Sequence, residues 1–98
     1  MGLPESARLL ADLVAVPSPT RHEADAARML ADRLPRFGWS GSHLDGAGNV
    51  VAERGTGDKE LVLLSHIDTV PGGPEVMITD EVIRGRGSVD AKGPCCAM

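Results

Sequence analysis

Aromatic side chains are almost missing from this chain. Phe37 and Trp39 stand alone, so aliphatic residues must supply whatever core it forms. Cysteine is as scarce: Cys95 and Cys96 are the only two, they are adjacent, and adjacent cysteines rarely pair with each other. No disulfide framework is available, and the two thiols read as small packing residues in a reducing compartment, with zinc binding a minor alternative. Basic charge is not in excess either. Ten Lys and Arg against 14 Asp and Glu leave a formal charge of -4, which offers no footprint for nucleic acid or an anionic membrane. The apolar runs are only a few residues long, too short to span a bilayer. The start, Met1-Gly2-Leu3-Pro4-Glu5-Ser6, lacks the basic region and apolar core of a signal peptide. Gly2 with Ser6 matches a myristoylation pattern but without its supporting context. A cytoplasmic location is the expectation.

What remains is the composition of an ordinary globular protein, 42% apolar and 24% charged, in 98 residues with no repeat, low-complexity tract or linker. That length suits one small domain. Ala7, Leu10, Ala11 and Val14 follow helical spacing and predict a first helix over Pro4 to Ala15, ended by Pro17 and Pro19. Thr20-Arg21-His22-Glu23 has the form of a capping box and predicts the start of a second helix. Its buried stripe would be Ala27, Leu30, Ala31 and Leu34, and Pro35 should stop it. Ser42 to Asp45 and Asn49 to Glu53 flank glycines and predict an antiparallel pair. Val76 to Thr79 and Glu81 to Arg84 predict a second hairpin around Asp80. Leu61-Val62-Leu63-Leu64 reads as a buried strand ending in a turn.

Two short runs carry the chemistry. His66 and Asp68, in Ser65-His66-Ile67-Asp68-Thr69-Val70-Pro71, lie at the end of that strand, and side chains two apart on extended backbone share a side. A metal-bound imidazole usually donates its second N–H to a carboxylate or carbonyl, and this pair can supply that arrangement. Taken alone, His-x-Asp is more commonly a strand-end histidine beside a turn former. The second run, Gly85-Arg86-Gly87-Ser88-Val89-Asp90-Ala91-Lys92-Gly93, shifts the balance. Its glycines allow tight or left-handed backbone, and Asp90 arrives just before a helix start with Pro94 in the first turn. One carboxylate has two oxygens and can bridge two divalent ions. His22 and His43, by contrast, read as surface residues.

These residues resemble the co-catalytic zinc amidohydrolases and peptidases, a family that includes acetylornithine deacetylase, succinyl-diaminopimelate desuccinylase and glutamate-releasing carboxypeptidases. Pro17-Ser18-Pro19-Thr20 with Glu23, and Asp45 with Gly48-Asn49, extend the resemblance over nearly the whole chain. Val70-Pro71-Gly72-Gly73 and Ser88-Val89-Asp90-Ala91-Lys92-Gly93-Pro94 are most similar to the hydrolases that free lysine or ornithine from an amino-group carrier protein.

The resemblance implies that His66 ligates one metal, that Asp90 bridges two, and that Asp68 is the catalytic support that orients His66 without binding metal. It implies two divalent ions, zinc or alternatively cobalt, and a cis Asp90-Ala91 peptide. It implies an α/β fold in which helices pack on a mixed sheet, with residues 1–98 forming the truncated N-terminal part of a zinc-peptidase-like catalytic domain. The general-base glutamate and the remaining ligands of the family lie downstream of the bridging aspartate, beyond Met98. The substrate would be a carrier protein or a small N-acylated amino acid, the pathway lysine or arginine biosynthesis, and the full-length protein a homodimer. The alternatives are a deacetylase or desuccinylase fragment, or a non-catalytic truncated product or interaction module.

Overall fold

A computed structural model describes residues 3–98; Met1 and Gly2, with the myristoylation match, lie outside the described residues. Helix α1, Glu5–Ala15, follows Pro4, whose extended backbone and missing N–H suit the residue before a helix. It buries Leu9, Ala11, Leu13 and Val14, so the inward stripe is turned from the one expected, with Ala7 and Leu10 half-buried at its edge. Helix α2, Ala24–Arg33, starts four residues later than the capping-box reading. The reason is that Thr20 is engaged elsewhere, as described below, while the Glu23 carboxylate accepts from the Arg21 N–H at 2.8 Å. Pro35 ends α2 as expected by converting its last turn into a 3-10 helix, Leu34–Phe37, closed by Gly38 at φ +85°.

Strands β1, Ser40–Leu44, and β2, Val50–Glu53, pair antiparallel with one irregularity between Ser40 and His43. Asp45 closes their turn by accepting from the backbone of Ala47 and Asn49 and from the Asn49 side chain. These bonds, that to the Asn49 backbone first, hold its carboxyl below the ordinary value of 3.8. Strands β3, Met77–Ile78, and β4, Ile83–Arg84, form the second hairpin. Helix α3, Lys92–Ala97, ends the described chain with Pro94 in its first turn.

The architecture is therefore α/β, but its strands do not form one mixed sheet. They make two separate antiparallel ribbons, and the parallel pairing among the described residues is a single bridge, Pro19 to Thr69. The core is small: Leu9, Leu13, Ala26 and Leu30 of α1 and α2, with Val50, Phe37, Ile67, Cys95 and Cys96 packed around them.

The buried strand expected at Leu61 to Leu64 is a correction. This stretch has no strand partner among the described residues, and Leu61, Val62, Leu63 and Leu64 are 85, 78, 50 and 90% exposed. An apolar run becomes a buried strand only when neighbouring backbone satisfies its N–H and C=O groups and side chains cover its faces. Neither is supplied here.

Candidate functional site

The backbone that carries His66 and Asp68 is held by the segment that follows α1. Thr69 N–H donates to Ser18 C=O at 2.9 Å and Thr20 N–H donates to Thr69 C=O at 3.1 Å, a short parallel clamp. The Ser18 hydroxyl, fully buried, adds a bond to Ile67 C=O at 2.7 Å. Pro17 and Pro19 end the helix and leave Ser18 and Thr20 outside it, able to make these bonds. The Pro17-Ser18-Pro19-Thr20 run is thus a strap across the residues that bear the site.

The second run packs against the same strap. Gly87 takes φ +87°, and a Cβ there would stand 2.7 Å from Thr69 Cγ2, so only glycine permits this approach. Gly85 serves differently from the expected turn role: a side chain on it would collide with Val14 of α1. Lys92 is 1% exposed, and its ammonium donates to Leu13 C=O at 2.9 Å and Val16 C=O at 3.0 Å. These carbonyls close α1, which favours a cation at this end. The burial that makes the contact also holds the Lys92 pKa below its ordinary value by desolvation, offset by the neighbouring Cys96.

Together the strap and the latch bring the three expected residues into one open depression of about 440 Å³. His66 lies between two carboxylates. Its Nδ1 is hydrogen-bonded to the Asp68 backbone C=O at 3.2 Å and lies 3.1 Å from Asp68 Oδ1, and its Nε2 is 3.1 Å from Asp90 Oδ1. The second oxygen of Asp68 accepts from the Thr20 hydroxyl at 2.8 Å. The Asp90-Ala91 peptide is cis. His22 and His43 are exposed and do not line the depression, His43 bonding its Nδ1 to Gly41 C=O.

The donor set can be tested against a divalent ion. Two ligands of one tetrahedral zinc, each about 2 Å from the metal, stand about 3.3 Å apart. His66 Nε2 and Asp90 Oδ1 match that separation while Asp68 occupies the other imidazole nitrogen. Two donors do not complete a site, and among the described residues no cluster of three or more His, Cys, Asp or Glu is arranged to hold a metal ion. Asp68 and Asp90 are the carboxylates lining the depression, and no glutamate lines it. Cys95 and Cys96 pack beside the core, unpaired, and burial raises both thiols, Cys96 to about 11. Such thiols are poor metal ligands near neutrality.

Sequence reasoning missed Thr20, Ser18 and Lys92 as parts of the site. Thr20 had a competing local explanation as a helix cap, and Lys92 looked like one polar residue in a glycine-rich run. A lysine two residues past a candidate ligand, ahead of two small cysteines, was the available signal.

No family model matches the chain. Individual proteins do. It is 43% identical over 91 residues to the LysW-lysine hydrolase of Deinococcus radiodurans, covering 92% of this chain and 25% of that protein. The LysW-lysine/LysW-ornithine hydrolase of Saccharolobus islandicus is 38% identical over 90 residues, again 92% of this chain and 25% of the relative. A Pyrococcus abyssi protein given the same name provisionally is 41% identical over 95 residues, 96% of this chain and 28% of its own length.

The chain is similar along nearly its whole length to LysW-lysine/ornithine hydrolases. It spans about a quarter of the length of these hydrolases. His66, Asp68 and Asp90 all fall within a chain matched almost end to end. No helix among the described residues is long and apolar enough to cross a membrane.

Proposed function

We propose that the chain supplies part of the metal centre of an amidohydrolase that frees lysine or ornithine from the LysW carrier protein. The observation that carries this reading is the placement of His66 Nε2 beside Asp90 Oδ1, with Asp68 on the opposite ring nitrogen. The names of the relatives supply the reaction class and the carrier. His66 would hold one ion, Asp90 would bridge two, and Asp68 would take the Nδ1 proton in a hydrogen bond that leaves Nε2 as the donor. When bound, two divalent ions, zinc or cobalt, would acidify a water and polarise the amide carbonyl.

No glutamate lines the depression to serve as the general base that the family resemblance implies. We therefore expect the 98-residue polypeptide by itself to release no lysine. The test uses the complete reading frame that contains this chain, assayed with zinc or cobalt on lysine-loaded carrier protein, on N-acetylornithine and on N-succinyl-diaminopimelate. Release from the carrier, abolished in Asp90→Asn, is the expected result. Preference for either small acylated amino acid would replace the substrate assignment, and activity indifferent to Asp90→Asn would overturn the metal-centre reading.

A further inference from the structure

The strap does more than hold backbone. Thr20 is the one residue of the strap whose side chain reaches the His66–Asp68–Asp90 group, and its hydroxyl donates to Asp68 Oδ2 across 48 positions of sequence. The other oxygen of that carboxylate faces His66 Nδ1. A carboxylate free to turn about its last bond presents either oxygen to the imidazole, or neither. With Oδ2 bound by a hydroxyl that can only donate to it, Oδ1 is the oxygen left for the ring.

The hydroxyl is itself well fixed. The Thr20 backbone N–H donates to Thr69 C=O, next to Asp68 in sequence, so the threonine and the carboxylate it orients are tied by two bonds, one backbone and one side chain. A hydroxyl at this point makes no contribution to helix α2, which begins at Ala24 without a side-chain cap. Its recorded partner is Asp68.

We propose that Thr20 is a positioning residue for the metal ligand His66, acting through Asp68. This inference rests on the reading of His66 as a ligand. The Thr20 hydroxyl fixes Asp68 Oδ2, and Asp68 presents His66 Nδ1 with its Oδ1 at 3.1 Å beside its backbone C=O at 3.2 Å, leaving Nε2 directed at Asp90 and an ion shared with it. Outer partners of a ligating histidine typically govern metal affinity by about 10- to 100-fold. Thr20 lies one bond further out, so about tenfold is expected.

The test is a zinc titration of the complete protein that contains this chain against a chromogenic chelator, with Thr20→Val, Thr20→Ser and His66→Ala variants and far-ultraviolet circular dichroism on each. Valine keeps the branched shape and removes the hydroxyl; serine restores the hydroxyl without the methyl. The expected result is zinc binding lost in His66→Ala, weakened about tenfold in Thr20→Val, and near the parent value in Thr20→Ser, with helix content unchanged. Wild-type affinity in Thr20→Val, with His66 still required, overturns the role of Thr20 alone. Equal weakening in valine and serine variants also overturns it, since the hydroxyl would then not be the active part. Zinc binding by the complete protein that is indifferent to His66→Ala overturns the ligand reading, and the inference with it.

Discussion

His66 illustrates how three residue types divide one task. The imidazole offers two nitrogens, and a carboxylate at each decides what each nitrogen does. Asp68→Asn should therefore weaken zinc binding by about tenfold even though His66 and Asp90 remain, because the carboxylate at Nδ1 is lost while the backbone C=O of the same residue still holds the ring. Chelator competition measures it. Asp45 poses the acid counterpart. Its hydrogen bonds favour the charged carboxylate, so its folded pKa lies below 3.8 and its contribution is present above that value. That contribution is lost as pH falls through the folded pKa. Denaturation curves taken above and below about pH 4 should show a smaller acid loss in Asp45→Ala than in the parent. The buried thiols carry the opposite sign. Cys96 is raised from 9.0 to about 11, so its contribution is complete below 9 and disappears as pH rises through 11. Cys96→Ala should flatten the alkaline fall in stability, read as the slope against pH and not as the absolute value. Lys92, shifted downward, gains with rising pH and partly opposes it.

At the scale of elements, the end of α1 is the organising point. Lys92 latches its last carbonyls from one side, and the strap that begins at Pro17 holds Ile67 and Thr69 from the other. Both halves of the candidate site are referenced to this single helix end. Lys92→Met keeps most of the side-chain volume and removes the donor to Val16 C=O, while Leu13 C=O still accepts from Val16 N–H. The loss of charge-assisted bonds, offset by the ammonium's desolvation, is about 1–2 kcal/mol, measurable by urea unfolding. A second contrast separates packed from unpacked apolar residues. Leu13, fully buried between helices, should cost about 2–5 kcal/mol when cut to alanine. Leu64, 90% exposed, should shift stability by less than about 0.5 kcal/mol on the same change. A large effect at Leu64 would show that Leu61 to Leu64 is covered in solution.

The whole molecule is looser than its length allows. A Cα radius of gyration of 13.7 Å exceeds the about 12.6 Å expected for a packed chain of this size, and the extents of 43 × 35 × 19 Å describe a slab. Among the described residues seven apolar side chains are buried, all on α1 and α2, while Leu61 to Leu64, Val70, Val76 to Ile78 and Val82 lie open. Marginal stability follows, below about 5 kcal/mol by urea denaturation, with a shallow dependence on urea because little surface is exposed on unfolding.

The sequence by itself determined most of the local structure and singled out the residues of the candidate site. Helix spacing, Pro35, the glycine turns and the two metal-type runs are encoded within stretches of a few residues, where periodicity and backbone restriction act directly, and they specify α1, the end of α2 and both hairpins. His66, Asp68 and Asp90 stood out as members of two short runs that carry a family resemblance, and the structure brings the three to one depression. The tertiary structure decided the rest. Whether Leu61 to Leu64 becomes a buried strand depends on neighbours that a one-dimensional pattern does not contain. Whether Thr20 caps a helix or binds Asp68 is a competition between a local partner and one 48 residues away, won by the strap's backbone bonds to Thr69. Lys92 gained its role only when folding carried the carbonyls at the end of α1 to it, 76 and 79 positions distant in sequence.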